Sequence, residues 1–461
     1  MPLTRRALGI SVAAAAAAAA LVSVVPAMSA KPRMHLPAGL WRSRSTAELI
    51  AIGDKVCRRY TSYGRGVALV RETPITDFED ELVSARLDDG GGLELETWAA
   101  LNRFQYERVN GWPEGFRLDE EVGWSTDPGL TVDAFFEVLA GHFAFAAERG
   151  VDWAALRAEC DAVVARDPNS TDILFDALAA TLWRLEDGHG SLKGEERDAD
   201  SRPWEPRLYE AWHAVGGRHG DDRFSKDWLD HIRHHILAGE GRTAARDYVA
   251  WGRLRSGVGY MALMVCEGLS EDEGARADVA VATSVFDRVI KDLEGSRGII
   301  VDLRFNEGGW DRVSLALAAR FANEEQPVFT KQSVRSGVEL QPQTITVRPA
   351  EGRRFAGPVA VLTSDATLSA AEVATLALRA LPNTRSFGVA TYGALSDPYA
   401  YRLPNGWKGK ISNEIYRAAD GLVFENVGIP PDQITPKVSS TAYWETADAT
   451  LKAAEAWLLA R

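Results

Sequence analysis

The 461-residue sequence has little cysteine, methionine or histidine: three, five and eight residues respectively. Cys57, Cys160 and Cys266 are far apart and form no metal-type spacing, which excludes a disulfide framework and a cysteine zinc site. At most one disulfide can form, and each cysteine also fits a small buried residue. Net positive charge is lacking too. The formal charge is −13, and removing a leader that holds Arg5 and Arg6 but no acid makes it more negative. Such a surface argues against nucleic acid and anionic lipid as partners. Beyond residue 30 no apolar run reaches transmembrane length, and convincing internal repeats are absent.

The chain otherwise has an ordinary globular composition, 46% apolar and 25% charged, ample for a large core. Residues 1–30 read as an export signal peptide. Arg5-Arg6 precedes an alanine- and valine-rich run from Ile10 to Val25, and small residues follow at Ala27 to Ala30. Thr4-Arg5-Arg6-Ala7-Leu8 resembles a twin-arginine leader. An uncleaved anchor is the alternative, but the run is short against the ~20 residues of a membrane span. Cleavage and a periplasmic or extracellular location are expected, with no membrane partner beyond the signal.

Residues 31–125 predict a small antiparallel β domain. Leu49 to Ile52, Val56 to Tyr60 and Val67 to Val70 are strand-like, and Asp88-Asp89-Gly90-Gly91-Gly92 joins Glu81 to Leu87 with Leu93 to Thr97 as a hairpin. Residues 126–195 predict a helical cap. Its last helix carries Leu174, Leu178, Leu182 and Leu185 and stops at Asp187-Gly188, where Gly188 is expected as the left-handed cap. His189 follows directly. Residues 196–461 predict the catalytic domain. Its pattern alternates: strand at Val258 to Val265, helix at Asp278 to Leu293, strand at Gly298 to Leu303, helix at Val313 to Phe321, strand at Val359 to Thr363 and helix at Ser369 to Ala380. Such runs indicate mainly parallel pairing with right-handed crossovers. His231-x-x-His234-His235 has no carboxylate in zincin register and no third ligand, so a solvated basic cluster is expected there and no metal site.

Four places carry chemical potential. Asp302-Leu303-Arg304-Phe305-Asn306-Glu307-Gly308-Gly309 follows a buried strand, and its glycines let backbone N–H groups approach a ligand. Ser369-Ala370-Ala371-Glu372 opens a helix. It is a capping box, and it also places a hydroxyl beside N–H groups that have no intrahelical partner. His189 stands at a helix exit, and Glu425 precedes a Gly/Pro turn. Together they supply a nucleophile, a base, a carboxylate to orient the base and an amide-rich loop, the parts of a serine hydrolase.

Taken in order, Asp302-Leu303-Arg304-x-Asn306-x-Gly308-Gly309, Ser369-Ala370-Ala371-Glu372, Thr391-Tyr392-Gly393 and Glu425-x-x-Gly428-Ile429-x-Pro431-Asp432 resemble the C-terminal-processing (tail-specific) peptidase and tricorn-core family, from about residue 131 onward. The resemblance implies an α/β core of the ClpP/crotonase-like βα spiral type. It also implies peptide-bond hydrolysis through an acyl-enzyme on Ser369. Tail-specific members use a lysine just after Thr-x-Gly, but that position is Ala394 here. Asp187-Gly188-His189 instead matches the histidine segment of tricorn-like members, with Gly188 where those carry serine.

The implied roles are Ser369 as nucleophile, His189 as base and acid, and Glu425 as orienting or relay carboxylate. The backbone N–H groups of Gly308 and Ala370 would form the oxyanion hole, supported by Gly188, Asn306 and Gly309. No cofactor is implied, and the partner is a peptide or unfolded protein. The span between His189 and Gly298 is too short for a PDZ module. A non-catalytic binding protein on the same scaffold and an esterase are the alternatives, and the sequence sets no oligomeric state.

Overall fold

A computed structural model describes residue 34 and residues 36–202, 223–435 and 443–461. The leader at 1–30 lies outside the described residues.

The N-terminal part is one eight-stranded sheet. Gly39–Ser43, Glu48–Ile52, Val56–Tyr63 and Gly66–Pro74 form a meander. Leu82–Leu87, Leu93–Thr97 and Arg103–Val109 form a second, fused to the first where Arg103–Val109 pairs with Gly39–Ser43. The period-2 alternation of apolar residues sets the two faces. Trp41, Ile50, Ile52, Cys57, Leu95 and Tyr106 pack on one face against Phe78, and Leu49, Tyr60 and Val67 pack on the other. The pairing departs from antiparallel once, because Phe116–Leu118 returns parallel to Gly66–Pro74.

Three helices follow, each started by a side chain that accepts the first free N–H groups, as capping preference requires. Asp127 caps Pro128–His142, Asp152 caps Trp153–Val164 and Ser170 caps Thr171–Trp183. The expected left-handed stop lies elsewhere, since the positive φ of 49° belongs to Glu186 and Gly188 has none. Gly188 is small for another reason, which the site makes plain.

The central sheet has seven strands in the order Arg242–Ala244, Val249–Arg253, Gly259–Leu263, Ile299–Asp302, Val359–Thr363, Thr384–Gly388 and Gln433–Ile434. The first two junctions are antiparallel and the other four parallel. Both faces are buried, which explains the unbroken apolar runs. Val249, Met261, Ile299, Val301, Val359 and Val361 face the helices Ala275–Asp292, Asp311–Ala318 and Ala370–Arg379. Ala250, Tyr260, Ile300, Ala360 and Leu362 face the opposite side, with Trp228, Ile232 and the last helix, Tyr443–Leu459. The expected solvated histidine cluster is not solvated throughout: His231 is buried, its ring stacked between those of Trp228 and His235.

Loops at the C-terminal ends of parallel strands carry the motifs singled out in the sequence, where an open parallel sheet offers ligands a crevice. At one such end Gly388 has φ +132°, and a Cβ there would lie 2.0 Å from the carbonyl oxygen of Thr363. Gly388→Ala is therefore expected to cost roughly 2–4 kcal/mol. The check is the denaturant midpoint, which should fall with the slope unchanged.

Candidate active site

The turn that leads to Ser369 is built by side-chain hydroxyls. After Val359–Thr363, Thr367 Oγ1 accepts the Ser364 N–H at 3.0 Å and donates to the Leu303 carbonyl at 2.9 Å. Ser364 Oγ accepts the Ala366 N–H and donates to the Arg304 carbonyl. The turn is thus fastened to the Asp302–Gly309 segment before the helix begins. Ser369 then adopts φ 57°, ψ −122°, a strained conformation for a residue with a Cβ. Such strain persists only where the surroundings impose it, and it lifts Oγ into a reachable, half-buried position.

His189 Nε2 lies 3.2 Å from Ser369 Oγ. Two features bring it there across 180 positions of sequence. The strand Ser191–Lys193, just beyond the histidine, pairs antiparallel with Lys408–Ser412. Asp187, fully buried, accepts the His189 N–H at 3.1 Å, the Ser412 Oγ–H at 2.6 Å and the Ser412 N–H at 2.8 Å. Gly188 packs on Ala394, and a Cβ at 188 would sit 2.5 Å from the Ala394 Cβ. The small pair lets the histidine loop lie flat on the 391–396 loop. Ala394 therefore lies directly against the loop that carries His189.

Glu372 ties nucleophile to loop. It is wholly buried, and its Oε2 accepts the N–H groups of Ser369 at 3.2 Å and Ala394 at 2.8 Å. Its Oε1 accepts the Thr391 hydroxyl at 2.6 Å and the Gly393 N–H at 2.7 Å. The reciprocal half of the capping box thus reaches well beyond its own helix.

Glu425 makes no direct hydrogen bond to the imidazole. Its Oε2 accepts the N–H groups of Leu395 at 2.8 Å and Ser396 at 3.1 Å, and it makes no hydrogen bond to His189. Its Oε1 and His189 Nδ1 are both buried without partners. Burial, reinforced by the charges of Asp187 and Glu372, pushes the Glu425 carboxyl up to about 8, so it holds its proton at neutral pH. The resemblance implies an orienting or relay carboxylate here, and the direct contact between the two side chains is absent. The physical reason for the difference is that Gly188 offers no side chain to connect the two groups. The carboxylate that fixes the histidine is Asp187, through the backbone.

A buried cation stands behind the loop. Lys331 Nζ lies 2.6 Å from Asp397, 3.0 Å from Glu414 and 2.7 Å from the Tyr416 hydroxyl, and it donates to Asn102 Oδ1 at 2.5 Å. Asn102 belongs to the connection between the strands Leu93–Thr97 and Arg103–Val109 of the N-terminal sheet. Burial lowers the His189 pKa most strongly, and the charges of Lys410 and Arg202 lower it further, against opposing contributions from Asp187 and Asp397. The imidazole therefore stays neutral at a pH where an ordinary histidine would be half protonated. Asp187, Lys331 and Asp397 escaped the sequence reading. Only Asp187 had a local signal, its place in Asp-x-His.

Gly308 lies against the nucleophile: a Cβ on it would come within 2.8 Å of Ser369 Cβ and 2.9 Å of the Ala370 nitrogen. The Gly308 N–H donates to Asn306 Oδ1 at 2.8 Å, and Asn306 Nδ2 donates to the Leu263 carbonyl at 3.0 Å. The Ala370 N–H has no acceptor among the described residues. Gly309 abuts Cys266 and Glu267, where a Cβ would stand 2.6 Å from their backbone. The cysteines are free and buried, and no group of three or more metal-type side chains occurs among the described residues.

Residues 258–435 match Peptidase family S41, a family of serine peptidases. The carboxy-terminal processing protease CtpA of Bacillus subtilis is 26% identical over 30% of this chain and 28% of its own length. The nisin-resistance protein of Lactococcus lactis is 28% identical over 32% of this chain and 48% of its own. The chain thus spans less than half the length of these curated relatives. A crystal structure from Parabacteroides merdae, described as that of a candidate peptidase, superposes with a TM-score of 0.59 at 23% identity. It covers 73% of this chain and 98% of that one, a likeness of fold.

Two measurements test the electrostatics. A depressed His189 pKa means that the neutral base survives as pH falls. The acid limb of kcat/KM should therefore lie below the ordinary value of 6.5, and the rate should be lost only as pH drops through the lowered value. Glu425→Gln keeps an acceptor for Leu395 and Ser396, so kcat at pH 7 should stay within about tenfold of the parent. A drop of about 10⁴, the cost of neutralising an orienting carboxylate, would return Glu425 to that role.

Proposed function

We propose that this protein is an exported serine peptidase that hydrolyses peptide bonds of peptides or unfolded proteins through an acyl-enzyme on Ser369. The observation that carries the proposal is the 3.2 Å approach of His189 Nε2 to the hydroxyl of a strained helix-start serine. A non-catalytic carrier has no use for a base within reach of a nucleophile. The name of one relative, a carboxy-terminal processing protease, supports a polypeptide substrate. The leader pattern supports export. We also adopt 31–125 as a β domain, 126–195 as a helical cap and 196–461 as a catalytic domain of ClpP/crotonase-like spiral type, a reading supported by the run of parallel strands linked through helices.

In this mechanism Ser369 Oγ adds to the scissile carbonyl carbon while its proton passes to His189 Nε2. The imidazole is neutral beforehand, with its other proton on Nδ1. The new C–O⁻ is met by the Ala370 N–H at the positive end of the helix. The Gly308 N–H is the second donor once it leaves Asn306 Oδ1. His189 then protonates the leaving amine as the C–N bond breaks, and water, deprotonated by the same nitrogen, releases the acid and restores Ser369. Losing one oxyanion donor typically costs about 10²–10³ in rate.

The test is labelling by a serine-reactive phosphonate together with cleavage of a quenched-fluorescence peptide. Ser369→Ala should abolish both, and His189→Ala should slow both by at least about 10³. Cleavage at the parental rate by Ser369→Ala would sink the assignment, whereas labelling that survives His189→Ala would point to another base.

A further inference from the structure

Away from Ser369, a cleft of about 1250 Å³ opens between the N-terminal sheet and the start of the Ala275–Asp292 helix. This exceeds what a single drug-sized molecule requires and suits several residues of a peptide. Its walls are aromatic and aliphatic: Phe78, Trp98 and Phe104 from the N-terminal part, with Val281 and Trp310 opposite. The Asp80–Arg276 ion pair, at 2.7 Å, braces the two sides.

The charges around this cleft do not cancel. Its three arginines are already neutralised: Arg59 by Glu48 at 2.5 Å, Arg71 by Glu81 at 2.8 Å and Arg276 by Asp80. Asp77, Asp272 and Glu273 remain on the rim, exposed and without an ion-pair partner among the described residues. An apolar floor with a negative rim complements a chain that alternates cationic and apolar side chains. It repels an acidic chain.

We infer that this cleft is a second binding site, separate from the Ser369–His189 centre, for an extended peptide segment rich in lysine or arginine with aromatic or aliphatic residues between them. The site adjoins the catalytic loops. Trp310 follows Gly309 directly, its N–H donates to the Cys266 carbonyl at 3.1 Å, and its ring N–H donates to Asp278 Oδ2 at 2.8 Å. Asp278 also accepts the N–H groups of Gly268 and Ser270, both at 2.7 Å, which fixes the loop bearing Asp272 and Glu273. An occupant of the cleft therefore touches the same residues that position the Gly308–Gly309 loop.

The experiment uses the full chain carrying Ser369→Ala, so that no probe is consumed. The readout is therefore binding and does not depend on the peptidase proposal. Two fluorescent hexapeptides, blocked at both ends, are compared by anisotropy: one alternates lysine with tryptophan, the other glutamate with tryptophan. The lysine probe should bind, more weakly as salt rises, and the glutamate probe should not. Asp272→Asn combined with Glu273→Gln should weaken binding about tenfold. Ala280→Arg, which places bulk and positive charge in the cleft, should weaken it further, with melting temperatures unchanged in both variants. His189→Ala should leave binding intact. Equal affinity for the two probes, affinity unchanged by both cleft variants, or loss of binding in His189→Ala alone would each overturn the inference.

Discussion

The Glu372 carboxyl is the constraint on which the site depends. It lies where water cannot reach, and burial raises its pKa even though four donors favour the charged form. Those donors are the N–H of the nucleophile, a hydroxyl and two N–H groups of the loop beneath the histidine. A buried carboxyl left without partners costs several kcal/mol, so the four groups are held to one geometry. The strained backbone at Ser369 is a consequence. Helix start and loop are pinned to the same side chain, and the serine between them takes the dihedrals that remain.

The second layer of support is arranged around the loop. Glu372 holds Thr391, Gly393 and Ala394, Glu425 holds Leu395 and Ser396, and Lys331 holds Asp397. Three buried ionisable side chains thus define seven consecutive positions, with Tyr392 among them. The histidine is not gripped through its ring. Asp187 fixes its backbone and sheet pairing fixes its neighbours, which leaves the imidazole oriented by packing. Lys331 also bonds Asn102, so the loop is tied to a strand connection within the N-terminal sheet.

Much of the architecture was legible. Doubly buried strands such as Ile299–Asp302 read as continuous apolar runs, and the leucine stripe Leu174, Leu178, Leu182 and Leu185 marked its helix by period. Ser369, His189 and the Gly308–Gly309 loop were found from local motifs, and they converge. What stayed hidden depends on contacts set by sheet register. The bonds from Asp187 to Ser412 cross 225 positions, and no periodicity in either segment announces them. Glu425 lies in the expected neighbourhood, but its hydrogen bonds go to Leu395 and Ser396, because a motif records proximity without direction. Gly188 was read as a conformational glycine, whereas its requirement is steric. His231 was read as solvated because polarity suggests exposure, yet an imidazole flanked by Trp228 packs well as a flat ring.

The contact between Gly188 and Ala394 has a consequence for how such a site can change over time. The two alternative bases of this resemblance, a lysine on one loop and a histidine on the other, compete for one volume. With the histidine loop seated, a Cβ at 188 would stand 2.5 Å from the Ala394 Cβ, so enlargement at 188 requires one of the two loops to move. The choice of base is therefore a locked pair rather than a single replaceable residue. Loop backbone and base would have to be exchanged together, as one unit.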